Sequence, residues 1–289
     1  MLRTSPTSVD FLILGAGWTS TFLIPQLDSA KITHAETTTS GHHGTIPFVF
    51  DPKSEDEEPY KRLPDAKTVL ITFPLKGKGP SRKITELYRK THDDENSWIQ
   101  LGSTGIFNVE EEWSTDDSAY DASDERAIAE DELIECVGGC VLNLCGLWGG
   151  ERQPKRWIER LAKSKDDVRK RNVVHFVHGE DVARAIIAVH RHGNGAKGKG
   201  KGKRWIVADL RVYDWWDLIL SFAALAEGVE EESEKERERK LQFAKWVGEL
   251  MVEEGVRALP REASTLGRRL DSRGFWREMG TWPRHSRLA

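Results

Sequence analysis

The stretch Phe11-Leu12-Ile13-Leu14-Gly15-Ala16-Gly17-Trp18-Thr19-Ser20 constrains the fold more than any other part of the chain. An apolar run feeds a Gly-x-Gly turn, and a helix-length segment carrying Phe22, Leu23, Ile24 and Leu27 follows. Gly15 lets the chain turn sharply off a strand. Gly17, without a side chain, lets the backbone approach a pyrophosphate at the N-terminus of the next helix. The pattern reads as the first strand, turn and helix of a nucleotide-binding α/β sheet, against the plainer reading of a glycine-rich strand-to-helix turn. Ser20 stands where the fingerprint usually has its third glycine. Its side chain would crowd the helix–strand contact and loosen the phosphate site.

Strand-like runs recur at 11–14, 31–38, 46–50, 68–73, 98–101, 141–144 and 205–208, with helical or polar segments between them. Several are almost continuously apolar, as strands buried on both faces of a parallel sheet should be. Helical spacing is clearest at 181–191, where Val182, Ala185, Ile186 and Val189 share a face and Gly193 follows as a stop. Leu218, Phe222 and Leu225 share another, in a helix that Asp214 would cap. Residues 1–147 are expected to form the nucleotide-binding core. Residues 148–289 then return late core elements at about 172–209 and add a small helical lobe. The alternating glycines and lysines of 193–203 predict a surface loop, and the charged run 230–240 a solvated helix face.

A chain of 289 residues with a formal net charge of −4 buries a full core and presents no global basic field. The lysines of 199–203 lack interleaved aromatics, so no nucleic-acid partner is expected. No apolar run reaches membrane-spanning length, and the apolar run near the N-terminus lacks a cleavage site, which predicts a cytoplasmic protein without a membrane partner. Cys136, Cys140 and Cys145 match no structural zinc spacing and read as small core residues in a reducing compartment, and no metal site is expected.

Four further segments stand in a recognisable order. Thr68-Val69-Leu70-Ile71-Thr72-Phe73-Pro74 looks like a fourth strand passing the cofactor. Leu101-Gly102-Ser103-Thr104-Gly105-Ile106-Phe107 resembles the strand-end Ser-Ser-Thr-Gly-Val-Tyr motif of extended short-chain dehydrogenases/reductases. Leu142-Asn143-Leu144-Cys145-Gly146-Leu147-Trp148-Gly149-Gly150 is similar to their Leu-Arg-x-x-Gly-x-Tyr-Gly stretch, and residues 172–183 resemble their Asn-x-Ile-His-Val-x-Asp-Val-Ala segment. The resemblance is to the atypical, epimerase/dehydratase-like branch. It implies an α/β fold with a doubly wound, mostly parallel Rossmann sheet binding NAD or NADP, and a smaller C-terminal lobe closing over a small-molecule substrate. Oligomeric state is left open.

In that resemblance Gly15, Ala16, Gly17, Trp18, Thr19 and Ser20 match the pyrophosphate turn. After the second strand an NAD enzyme usually presents a carboxylate to the ribose and an NADP enzyme an arginine. Here stand Thr37, Thr38, Thr39 and Ser40, which tilts the expectation toward NADP, with His42 or His43 assisting. The threonines are equally good strand residues. Asp51 would contact the adenine or cap a loop. Thr72, Phe73 and Pro74 would lie along the ribose and nicotinamide.

The family's acid or base is a tyrosine followed four residues later by lysine. No tyrosine here has that partner: Arg126-Ala127-Ile128-Ala129-Glu130 resembles the family's Lys-Ala-x-x-Glu and puts Ala122 at the tyrosine and Arg126 at the lysine. Ser103 and Thr104 remain as substrate-orienting candidates, with strand-end caps as the plain alternative. Tyr120, His175 or a carboxylate of Asp116, Asp117 or Asp121 would have to replace the tyrosine. A loop aromatic and a satisfied histidine are the alternatives for the first two. The expected function is an NAD(P)-dependent oxidoreductase or epimerase-type enzyme with a non-standard acid/base set. A non-catalytic dinucleotide-binding sensor or scaffold is the other reading, and loss of the cofactor a third. The tryptophans of the second half, Trp215, Trp216, Trp276 and Trp282, would line an apolar substrate cleft or serve as core or interface residues.

Overall fold

A computed structural model describes residues 8–92, 95–108, 113–193, 201–224, 233–285 and 288. The seven runs expected as strands form one sheet: β1 (Ser8–Leu14), β2 (His34–Thr38), β3 (Ile46–Pro47), β4 (Asp65–Ile71), β5 (Ser97–Ser103), β6 (Cys140–Leu144) and β7 (Arg204–Val207). All neighbours pair in parallel, in the order β7-β6-β5-β4-β1-β2-β3. The order reverses between β1 and β4, the point at which an open parallel sheet leaves a crevice at its strands' C-terminal ends. The fold class is therefore the doubly wound Rossmann type.

Period-two alternation divides the sheet into two faces. Phe11 and Ile13 point into one apolar cluster with Leu70, Ile99 and Leu142, covered by α1 (Ser20–Ser29). Leu12 and Leu14 point into a second with Val69, Ile71 and Val141, covered by α2 (Pro80–Arg89) and α3 (Glu125–Val137). Helix α4 (Gly179–Gly193) packs beside α1 and buries Val182, Ala185, Ile186 and Val189 in the first cluster, the face their spacing predicts. Cys140 and Cys145 are buried and Cys136 half-buried, all as free thiols.

A third apolar cluster lies apart from the sheet. Trp148, Ile158, Val168 and Phe176 meet α5 (Trp215–Ala224) and α6 (Glu234–Glu253) there. Asp214 accepts the Trp216 amide at 2.9 Å, the capping contact anticipated for α5. Trp216 and Trp276 are wholly buried, their indoles donating to Val168 O (2.9 Å) and Ala208 O (2.8 Å). These two are core residues rather than cleft walls. Leu225, residues 194–200 of the glycine–lysine stretch and residues 230–232 of the charged run lie outside the described residues.

Candidate functional site

A cleft of about 570 Å³ opens at the C-terminal ends of the strands, across the reversal between β1 and β4. The β1–α1 turn supplies Gly15, Ala16, Gly17, Trp18 and Thr19, the end of β2 supplies Thr38, Thr39 and His42, and the end of β4 supplies Thr72 and Phe73. Ser103 from β5 and Arg126 from the first turn of α3 close the far side with Leu144, Cys145, Leu147 and Arg152.

The turn is built for close approach. Gly15 has φ +91, and a Cβ there would stand 2.8 Å from Thr72 Oγ1 and 2.9 Å from Phe73 Cδ1. Its N–H donates to Thr37 Oγ1 (2.9 Å) and the Ala16 N–H to Thr37 O (2.7 Å), so Thr37 clamps the turn from beneath. Thr72 Oγ1 donates to the Gly15 carbonyl. A Cβ at Gly17, by contrast, meets nothing within 4 Å. That bare face opens into the cleft just ahead of α1, where the helix dipole favours an anion, although the Ser20, Thr21 and Phe22 amides are bonded to the Gly17, Trp18 and Thr19 carbonyls. Ser20 is buried, does not line the cleft, and its hydroxyl has no hydrogen-bond partner among the described residues.

The rim beyond β2 is neutral. Thr38 Oγ1 accepts the Gly41 amide (3.0 Å) and bonds Thr45 Oγ1 (2.7 Å), which fixes the loop. Ser40 is exposed and outside the lining, yet its hydroxyl lies 2.9 Å from His42 Nδ1 and orients that imidazole. Asp51 is exposed beyond the short third strand, where Oδ1 accepts the Lys53 amide at 2.9 Å. It serves as a loop cap and lies outside the cleft lining, as does Pro74. Phe73 stacks on Phe50 at 6.1 Å.

At the end of β5, Ser103 Oγ accepts the Gly105 amide at 3.1 Å and remains in the cleft wall. Thr104 is buried behind it, donating to Leu144 O at 3.3 Å while its carbonyl accepts from Arg268 at 2.8 Å, so its hydroxyl serves the backbone. Helix α3 begins at Glu125, capped by Asp124 Oδ1 on the Arg126 amide (2.7 Å), which leaves Ala122 before the helix and exposed.

The candidate proton carriers lie elsewhere. Tyr120 donates its hydroxyl to Asp131 at 2.8 Å beneath the Arg204 guanidinium, and burial followed by that carboxylate raises its pKa. His175 is 2 % exposed; the Leu270 amide donates to Nε2 (3.2 Å), so Nδ1 carries the proton given to Arg211 O (2.9 Å). Both ring nitrogens are used, and burial pushes the pKa down to about 4. Neither residue lines the cleft. Asp116 accepts the Ile206 amide at 2.6 Å, and Asp121 takes Ser123's amide (2.9 Å) and hydroxyl (2.5 Å).

Three features carry no local sequence signal. A backbone bridge between Gly149 and Arg152 folds Arg152 back, placing its guanidinium 4.4 Å from the Trp18 ring centroid. Trp18 Nε1 donates to Gly149 O at 3.2 Å, which ties the β1–α1 turn to that bridge. Cys145 lines the wall, but burial pushes its pKa up to about 12 and keeps it a neutral thiol. Behind Ser103, Glu130 is wholly buried; it pairs with Arg204 and accepts Asn143 Nδ2 at 2.9 Å. Asn143 Nδ2 also donates to Ser103 O at 3.1 Å, tying the end of β5 to α3. A side chain at Gly102 would overlap that carboxylate.

No family model matches the chain, and no curated protein matches it in sequence. Solved structures do match in shape. A candidate NAD-dependent epimerase/dehydratase from Methylobacillus flagellatus aligns with TM-score 0.62 at 14% identity, covering 96% of this chain and 94% of its own. MoeE5 in complex with UDP-glucuronic acid and NAD aligns with TM-score 0.60 at 13% identity, covering 95% and 94%. Yeast methylglyoxal/isovaleraldehyde reductase Gre2, complexed with NADPH, aligns with TM-score 0.58 at 14% identity, covering 95% and 93%. Over nearly its whole length the chain thus has the fold of epimerase/dehydratase-like short-chain dehydrogenases/reductases.

Proposed function

We propose that the chain binds NADPH or NADH across this cleft and acts as an oxidoreductase or epimerase-type enzyme on a small organic substrate. The observation that carries the reading is the meeting, in one cleft, of the open Gly17 face, the hydroxyl and imidazole rim, Ser103 and Arg126. The residues suit a dinucleotide. The pyrophosphate would lie on the turn against Gly17, with Arg152 over Trp18 within reach, and Thr72 and Phe73 would flank the nicotinamide ribose. Thr39 and the Ser40-oriented His42, in a rim without a carboxylate, favour NADP over NAD. Complexes of fold neighbours with NAD and with NADPH support a nicotinamide cofactor of either kind. When bound, that cofactor supplies hydride transfer.

Ser103 would orient the substrate oxygen. A guanidinium is a cation rather than a base, so Arg126 would stabilise negative charge developing on that oxygen instead of removing a proton. The small helical lobe within 148–289 would cover the substrate, and the protein would work in the cytoplasm. The engagement of Tyr120 and His175 with protein partners supports a second reading, a dinucleotide-binding sensor without turnover.

Titration of tryptophan fluorescence with NADPH and NADH, followed by turnover assays over carbonyl and alcohol panels, separates these readings. Binding with turnover that falls in Ser103→Ala and Arg126→Met supports the enzyme. Binding without turnover supports the sensor, and no binding of either nucleotide removes both.

A further inference from the structure

Outside the cleft, the C-terminal segment is strapped across the start of α4. The wholly buried Asp181 accepts the backbone N–H groups of Arg284 and His285, each at 2.8 Å. Arg184 donates to Thr281 Oγ1 (2.7 Å) and Trp282 O (3.1 Å). The strap lays the His285 ring on His178, centroids 3.9 Å apart, and brings His285 Nε2 within 2.8 Å of Glu180 Oε2. One donor atom from each of His178, Glu180 and His285 then lies within 4.8 Å of the others.

From this placement we infer that His178, Glu180 and His285 form a divalent transition-metal site that clamps the C-terminal segment onto α4. Two imidazoles and a carboxylate are a donor set that zinc accepts readily, with water completing a tetrahedron. Zinc bonds of about 2.0–2.1 Å place tetrahedral ligand atoms roughly 3.3 Å apart. Closing from the present separation would draw on Glu180, which is exposed, and His285, which is half-buried. His178 supplies the rigid corner: it is 8% exposed and flanked edge-on by Trp148 (4.6 Å) and Phe22 (5.4 Å). Its Nε2 faces Gly149, so the ion would take Nδ1 and replace the 3.2 Å bond that this atom now accepts from the Glu180 amide. Imidazole and carboxylate ligands bind a metal ion only in their deprotonated forms, so binding weakens in acid. None of the three residues lines the cleft, so the site stands or falls separately from the proposed nucleotide.

The test uses the full chain stripped with EDTA, titrated with Zn²⁺ by calorimetry and with Co²⁺ by visible absorption. One ion per chain is expected, bound at least about tenfold more weakly in Glu180→Gln and in His285→Ala. Cys136→Ser and His43→Ala should bind as the parent does. Zinc should also slow hydrogen exchange at the Arg284 and His285 amides, and do so only when Glu180 and His285 are both present. The inference is overturned if the parent binds no ion more tightly than about 100 μM. It is equally overturned if Glu180→Gln and His285→Ala leave affinity unchanged, or if Cys136→Ser abolishes it.

Discussion

The two glycines of the β1–α1 turn make opposite demands, and substitutions should separate them. At Gly17 a new Cβ meets nothing within 4 Å and the backbone is not left-handed, so Gly17→Ala and Gly17→Val should hold folding stability to within about 0.5 kcal/mol. The same methyl groups would project where the pyrophosphate of the proposed dinucleotide would touch backbone. Displacing it should cost Gly17→Val at least about 100-fold in NADPH or NADH affinity, roughly 2.7 kcal/mol. At Gly15 the order reverses. Its φ of +91 and the overlap of any Cβ with Thr72 and Phe73 make Gly15→Ala pay both backbone strain and overpacking, together about 2–4 kcal/mol. Urea unfolding gives stability and calorimetry gives nucleotide affinity. If Gly17→Val binds both nucleotides as the parent does, the pyrophosphate does not lie on this turn. If Gly15→Ala melts unchanged, the close approach of Thr72 and Phe73 does not restrict that position.

Arg204→Met leaves Glu130 buried without its cation and should cost about 3–5 kcal/mol in urea unfolding; a loss under about 1 kcal/mol would show that Asn143 alone suffices. Burial raises Asp116 from its ordinary 3.8 to about 7, so its contribution to stability is full below about pH 4 and is lost as pH rises through 7. Asp116→Asn keeps the oxygen that accepts the Ile206 amide. It should gain on the order of 2 kcal/mol over the parent between about pH 5 and about pH 8, and parallel pH profiles would contradict this. His34, bonded first to Glu36 and also to Asp28, is raised to about 9; its contribution is full below pH 6.5 and fades as pH climbs through 9. His34→Gln should therefore flatten the alkaline decline in the urea midpoint.

The sheet was legible because its strands are buried on both faces and so read as apolar runs at sequence level. Phe11 to Leu14 needs no partner to announce itself. Boundaries moved by up to three residues, as at the start of β1 and the end of β3, which pairs only over Ile46–Pro47 and leaves Asp51 outside. Residues at strand ends, such as Ser103 and Thr72, were legible as cleft candidates because topology carries every such end to one edge. What escaped depends on pairings remote in sequence. Arg152 reaches the cleft through Gly149 and Trp18, and Glu130 is answered by Arg204 from another strand. Thr104, Tyr120 and His175 are plausible chemists by type and place, yet backbone carbonyls, a backbone amide and Asp131 take up their polar atoms, which no local pattern discloses.

The division of the interior into three apolar clusters has an evolutionary consequence. Substitutions that share no neighbours combine almost additively, so repacking around Trp148, Trp216 and Phe243 should leave the two sheet clusters thermodynamically undisturbed. A lineage carrying this architecture can redraw the third cluster one residue at a time while the strand ends keep their places. Drift in that cluster then accumulates without renegotiating the framework that holds the turn.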